Sequence, residues 1–241
     1  MNTYGLQLYS VRDAMEENVA QTLKRVAEMG YKYVEFAGFF DHSAEDIRAM
    51  LDEAGLACSG SHSNWRDLRP TKIMETIAYH KAIGNPYYIV PGADLSSLEK
   101  IEDFCNVMNF AKPILAAEGI RLAYHNHAHE FEMKPWGSTI HSELERRLDL
   151  DFEIDTYWAF KAGVDPVALM DRLKHRLRVI HLKDGLADGT GKPLGMGEAP
   201  LARVISYAEE HGFTMVVESE TITPSGLEEA EICMNYLKEI K

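Results

Sequence analysis

Cysteine is scarce in this chain. Three occur in 241 residues, Cys58, Cys105 and Cys233, far apart and odd in number, with no CxxC pair. That excludes a disulfide framework and a thiolate zinc site, and the three thiols are expected as small buried hydrophobes in a reducing compartment. No apolar run is long enough to span a membrane, and the opening MNTYGLQLYS has neither a basic n-region nor an apolar h-region. The expectation is a cytoplasmic protein with no membrane partner. Positive charge is also short. Twenty-five Lys and Arg stand against 38 Asp and Glu, the formal net charge is −13, and there is no Lys/Arg run. Such a surface repels phosphate backbones, so nucleic acid is not an expected partner. Residues 6–13 lack GxGxxG, which argues against an open dinucleotide-binding sheet. The glycine-rich stretch DGLADGTGKPLGMGE lacks the GxxxxGK[S/T] cradle, so a phosphorylated substrate is not supported.

What is present is a repeated alternation. Hydrophobic residues make up 46% and aromatics 10%, enough for one substantial core. Eight short apolar runs read as strands: 6–9, 33–37, 56–61, 87–90, a fifth starting at Arg121, 150–156, 177–183 and 213–218. Helical segments separate them. The segment 19–28 ends at Gly30. Ser43 reads as the N-cap of a helix that stops at Gly55, with Asp46 three residues on. Pro70 opens a helix to 83, and a long pattern from 96 to 118 carries Pro113, which is expected to kink or split it. Ser138 caps a helix to 147, and Asp165-Pro166 opens one to 174. Residues 184–198 read as a loop, and 199–210 and 226–241 as the last two helices. Eight strand–helix repeats predict a single (β/α)8 TIM barrel over residues 1–241.

The stretch RLAYHNHAHEFE changes character midway. The period of two puts His125 and His127 on one side and Leu122 and Tyr124 on the other. A barrel keeps its active site at the C-terminal strand ends. Those ends supply Glu35, His62, His125, His127, Glu130, Asp155, His181, Lys183, Glu218 and Glu220. Carboxylates with imidazole make a hard divalent site, and the expected metal ligands are Glu130, Asp155, His181 and Glu218. Mn²⁺ suits this set best, with Mg²⁺, Co²⁺ or Zn²⁺ as alternatives. Each ligand taken alone also fits an internal salt bridge. Trp65, Trp136 and Trp158 follow strand ends, where a ring can stack on a sugar or simply pack.

The segments GLQLYSVRD, GYKYVEF, YHNHAHEFE, DTYWAFKAGVDP, HLKD and VVESE, taken in order, resemble the sugar phosphate isomerase/epimerase group of the xylose isomerase-like TIM barrels. The resemblance covers nearly the whole chain. It implies a divalent-metal enzyme acting on a small-molecule sugar, keto-sugar or cyclitol, in a family that often forms homodimers. By resemblance, Asp155, His181 and Glu218 fall on ligand positions of strands six to eight. Strand five departs from the ketose epimerases, which carry a glutamate within it. Here Ala123 and Tyr124 stand there, so either Glu130 reaches back or His125 takes the place.

The expected chemistry is isomerisation or epimerisation by proton abstraction next to a carbonyl through an ene-diolate. Dehydration or lyase chemistry on an inosose or 3-keto-glycoside is the alternative, because the same enolate serves both. Glu130, Glu218, His125 and His127 are candidate acids and bases, and Lys183 a candidate oxyanion holder or an internal ion pair. Glu35, His62 and Trp158 are candidate substrate contacts. A nuclease of the endonuclease IV kind would carry DTCH where this chain has DTYW, and a non-catalytic sugar-binding barrel is the remaining rival. His80 and the other helix and loop histidines receive no role.

Overall fold

The computed structural model describes residues 3–240. The apolar runs form eight parallel strands: β1 Tyr4–Gln7, β2 Tyr33–Ala37, β3 Ala57–His62, β4 Tyr87–Val90, β5 Arg121–His125, β6 Asp151–Asp155, β7 Leu177–Leu182 and β8 Thr214–Val217. Each pairs with its sequence neighbours, and β8 closes onto β1. This is a single (β/α)8 TIM barrel. Around it lie α1 Arg12–Glu17, α2 Val19–Met29, α3 Ala44–Ala54, α4 Ile73–Ala82, α5 Leu98–Ala117, α6 Ile140–Arg147, α7 Thr156–Lys161, α8 Pro166–Leu173, α9 Leu201–His211 and α10 Gly226–Glu239. Among the described residues no helix is long and apolar enough to cross a membrane.

Strand alternation sets the layers. Leu6, Phe36, Val90, Tyr124, Ile154, Ile180 and Val217 turn outward into the core shared with the helices. Gln7, Glu35, His125, Glu153, Asp155 and His181 occupy the alternate positions and are all buried. Two register shifts, at Val34/Glu35 and Phe152/Glu153, adjust which inward residues meet. Gly60 sits opposite Glu35, and a Cβ there would lie 2.9 Å from Glu35 Oε2 and 2.7 Å from Ile89 Cδ1. A glycine on β3 is therefore what admits a carboxylate inside the barrel.

Several boundaries differ from the sequence reading. The first strand ends at Gln7, and residues 8–11 turn as a 3₁₀ segment whose start is capped by the Gln7 side chain. The helix expected from Pro70 begins at Ile73, because a separate 3₁₀ turn at Trp65–Leu68 takes up the preceding chain. Pro113 neither splits nor ends α5, which runs unbroken from Leu98 to Ala117. Thr139, not Ser138, caps α6, and the Ser138 hydroxyl donates to Glu143 instead. The sixth strand stops at Asp155, whose side chain accepts from Trp158 N and opens α7. The three cysteines are buried and free.

The segment after β7 is organised by one carboxylate. Residues Asp184–Gly185 pair with Gly191–Lys192 in a short hairpin. Buried Asp184 accepts from the backbone N–H groups of Gly185, Gly195, Gly197 and Ala199 at 2.8, 2.9, 2.9 and 3.1 Å. A Cβ on Gly197 would stand 2.2 Å from Asp184 Oδ1, so the backbone approaches as closely as glycine permits. Removing the acceptor strands four donors. Asp184→Ala is expected to cost on the order of 3 kcal/mol in a urea titration and to open residues 186–198 to protease. An unchanged midpoint would mean that the loop is held by its other contacts.

Candidate active site

Two tiers of ionisable side chains meet inside the C-terminal end of the barrel. The upper tier is His125, Asp155, His181 and Glu218, each buried and each offering a ligand atom within 4.8 Å of the others. Register explains the meeting. Asp155 lies beside His181 across β6–β7, and Glu218 continues β8 through a backbone bond to Leu182 O. The lower tier is Glu35 and Glu153, with His62 reaching both of them from the mouth. His62 Nε2 lies 2.7 Å from Glu153 Oε2 and 3.2 Å from Glu35 Oε1. His181 Nε2 lies 2.8 Å from Glu35 Oε1, and His125 Nδ1 lies 3.1 Å from Glu153 Oε2. Gln7 Nε2 donates to Glu35 Oε1 at 2.6 Å.

Burial and charge set the protonation of these groups. Burial and the neighbouring Glu218 push Asp155 up to about 7, against the pull of Lys183 and His181. Burial and Glu153 likewise push Glu35 up to about 7. Glu218 and Glu153 are also buried, but the cations and hydrogen-bond donors beside them win. Lys183 and His181 hold Glu218 well below the usual carboxylate range, and His181 and His125 do the same for Glu153. Burial disfavours a charged His181, yet Glu153, Glu35 and Glu218 raise it well above an ordinary histidine. Burial dominates at His125 and His127, and both are lowered. The site therefore combines firm anions, carboxyls poised near neutrality, a charged His181, and neutral imidazoles at His125 and His127.

The sequence-derived candidates divide by position. His62, His125, His127 and Glu218 line a cavity of 440 Å³ at the mouth, together with Tyr9 and Glu220. Lys183 is buried, 3.2 Å from Glu218 Oε2 and 2.7 Å from Glu220 Oε1, with its ammonium 4.7 Å above the Trp158 ring. Trp158 also faces His127, at 6.0 Å. Glu130 does not join the upper tier. Its oxygens are taken by the Tyr124 hydroxyl and the His127 backbone N–H, both at 2.9 Å, where it caps the turn Ala128–Phe131. Tyr124 points outward, so the carboxylate that binds it is drawn out of the barrel. Glu35 is fully buried beneath His181 and His62 and does not line the mouth. Trp65 is buried against Phe104, and Trp136 packs on the hydrophobic core.

Glu153 and Gln7 lie inside the strands that the sequence predicts, away from the ends where a barrel keeps its active site. The signal was available: Glu153 precedes Asp155 by two residues in FEID and shares its face. Residues 156–161 hid a helix because DTYWAFKAG follows a strand with no intervening glycine or proline.

The upper tier suits a divalent cation. Asp155 Oδ2 is buried and has no hydrogen-bond partner, a costly condition for a carboxylate oxygen unless a cation faces it. His181 turns Nδ1 toward Glu218, at 3.2 Å, and Nε2 toward Glu35. A carboxylate behind the far nitrogen is the usual setting of a metal-bound histidine, fixing its ring and raising its basicity. Donors of two imidazoles and two carboxylates fit Mn²⁺, Co²⁺ or Zn²⁺.

A closed parallel barrel with imidazoles and carboxylates gathered at its C-terminal mouth defines a TIM barrel of the enzyme-bearing type. Within that class the chain belongs to the xylose isomerase-like TIM barrel family, whose model matches residues 23–240. It is similar to a sugar phosphate isomerase/epimerase from Parabacteroides distasonis, with 25% identity and a TM-score of 0.86 over 99% of this chain and 98% of the other. A probable 3-DHS dehydratase from Bacillus anthracis shares the fold, with a TM-score of 0.76 at 13% identity over 98% of this chain and 99% of that one. Among curated proteins, an inosose dehydratase from Geobacillus kaustophilus is 23% identical over 196 residues. That match takes in 68% of this chain and 61% of the relative's length.

Proposed function

We propose that this chain is a divalent-metal-dependent enzyme that removes a proton beside the carbonyl of a sugar, keto-sugar or cyclitol. The observation that carries this reading is the buried quartet His125, Asp155, His181 and Glu218, with the partnerless Oδ2 of Asp155 under an open mouth. A divalent cation held by that quartet would supply Lewis-acid polarisation of a substrate carbonyl. The chain's own groups supply the rest. His127 is lowered by burial and stays neutral near pH 7, and its side chain lines the mouth cavity. That imidazole is the proton acceptor. Lys183, raised by Glu218, Asp155 and Glu220 against its burial, stays charged and faces the oxyanion that develops. Tyr9 and His62 bound the space in which the ring sits, and Trp158 packs behind His127 and Lys183.

Return of the proton from His127 to the neighbouring carbon isomerises, and delivery of a proton to the opposite face of the same carbon by a second acid epimerises. Loss of a β-hydroxyl, leaving as water with that proton, dehydrates. Isomerisation or epimerisation leads, in keeping with the likeness to a sugar phosphate isomerase/epimerase. One observation favours dehydration as the second reading. Strand five contributes an imidazole, His125, to the convergent set rather than the glutamate that ketose epimerases carry within that strand.

Deuterium exchange tests the proposal. The Mn²⁺-loaded protein in D₂O is expected to introduce deuterium α to the carbonyl of at least one ketose, inosose or 3-keto-glycoside, followed by NMR. His127→Ala is expected to slow that exchange by about 100-fold or more, the contribution of a positioned base. Exchange that survives unchanged in His127→Ala would move the base elsewhere. No exchange across the panel, with metal bound, would sink the proton-abstraction reading.

A further inference from the structure

The mouth cavity does not stand alone. A second cavity of 380 Å³ adjoins it, lined by Gly38, Phe39, His62, Asn64, Thr76 and Tyr88 among others. His62 borders both spaces. The chain passes directly from one to the other, since Ala37 lines the mouth and Gly38 the second cavity. Each volume falls in the lower part of the range for small-ligand cavities, about 300–1,000 Å³. Together they make one site of two compartments, and the reacting groups occupy only the first.

The second compartment is furnished for a neutral ring. Its wall is aromatic: Phe39 lies 4.5 Å from the Tyr79 ring and 5.6 Å from His80, and His80 lies 4.9 Å from Tyr88. His80 is lowered by burial to about 4 and adds no charge. Lys72 is already paired with Asp67 at 3.0 Å, and Glu75 adds a second carboxylate to the lining. A phosphate would meet more negative charge than positive. An aromatic wall with amide and carboxylate edges instead matches the apolar face and hydroxyl rim of a sugar ring. The wall is also held in place. Tyr79 donates from its hydroxyl to His42 O, and Tyr88 to Asn64 O, which ties α4 and β4 to the loops after β2 and β3.

We infer that the substrate has two rings, a keto-sugar unit that reacts in the mouth and a second, neutral sugar unit that lies against Phe39 and Tyr88. The substrate class is then a keto-disaccharide rather than a free monosaccharide or a sugar phosphate. The inference rests on the proposed function for the identity of the first ring, while the second compartment is read from its own lining.

Binding to the Mn²⁺-loaded protein tests it, with D-fructose, the glucosyl-fructoses palatinose and turanose, and fructose 6-phosphate as calorimetric probes. At least one disaccharide is expected to bind 10-fold or more tighter than D-fructose. Thr76→Trp fills the second compartment and is expected to abolish that gain while leaving D-fructose affinity within twofold. If Thr76→Trp fails to fold by circular dichroism, Phe39→Ala makes the same comparison and is expected to cut the gain severalfold. Equal affinities for D-fructose and both disaccharides would overturn the inference. So would a gain that survives in the variants, or one shown by fructose 6-phosphate instead. Deuterium exchange separates the two readings. A disaccharide gain without exchange leaves the second compartment standing and sinks the chemistry. Exchange on monosaccharides without a disaccharide gain does the reverse.

Discussion

Asp155→Asn is expected to abolish turnover while making the metal-free protein more stable. The two effects share one cause. Asp155 Oδ1 accepts from Trp158 N at 2.8 Å and caps α7, and asparagine keeps that acceptor. Oδ2 is buried without a partner, and it is the oxygen positioned to face a cation. Without a cation, ionising this group inside the barrel is unfavourable, and its folded pKa sits at about 7, against 3.8 as the ordinary value. Between those two values the folded state binds more protons than the unfolded state. Its contribution to stability is therefore greatest below the ordinary value and is lost as pH rises toward 7. A shift of that size corresponds to a penalty on the order of 4 kcal/mol above neutrality. Asparagine cannot ionise and escapes it. The melting temperature of metal-free Asp155→Asn is expected to exceed that of wild type, by a margin that widens from pH 5 to pH 8. Mn²⁺ is expected to narrow that gap by stabilising only the wild type, by about 2.7 kcal/mol at a hundredfold excess over Kd. Turnover by the variant is expected to fall by about 1,000-fold or more, the loss of one preorganised electrostatic group. A variant that melts lower than wild type at pH 8, or that keeps its Mn²⁺ shift, would mean that Asp155 is an ordinary internal cap.

The strand-five ligand gives the second large effect. His125→Ala is expected to weaken Mn²⁺ binding by more than about 100-fold, beyond the 10- to 100-fold typical of partners behind the ligands. Glu130→Gln is expected to weaken it by less than about 10-fold. The difference follows from where the two side chains point. His125 stands in the convergent quartet, whereas Glu130 is held by Tyr124 and the backbone of His127. Glutamine keeps an acceptor for one of those donors, so the turn is expected to persist. Calorimetric titration of both variants decides the matter. A Glu130→Gln loss as large as that of His125→Ala would show that the turn at Ala128–Phe131 rearranges to bring its carboxylate to the metal.

Most of the fold was legible because its physics is local. Tyr33–Ala37 and Tyr87–Val90 are apolar runs of strand length bounded by glycine, proline or polar residues, and their limits matched the sequence reading. Ser43, Asp165 and the C-terminal Gly30, Gly55 and Gly212 mark helix ends through groups within a few residues of themselves. Strand boundaries slipped where the next element began without a gap, as at Gln7 and Asp155, because one side chain ends a strand and caps the following turn. Pro113 misled because a missing N–H and a ring clash are local costs, whereas the packing of α5 along its length is not.

For the site, the sequence by itself determined the ingredients and their faces. Alternation along β5 to β8 placed His125, Asp155, His181 and Glu218 on the inner side, since side-chain direction is a property of the strand alone. Only the tertiary structure decided which carboxylates meet which imidazoles. Barrel register set Glu153 beneath His125 and Glu35 beneath His181, partners 28 and 146 residues away in the chain. It also turned Glu130 out to Tyr124, because a hydroxyl on the outer layer and a free backbone N–H lay nearer than the barrel axis. Distances between strands depend on closure, stagger and the space a glycine such as Gly60 leaves, and none of these is written at a single position of the chain.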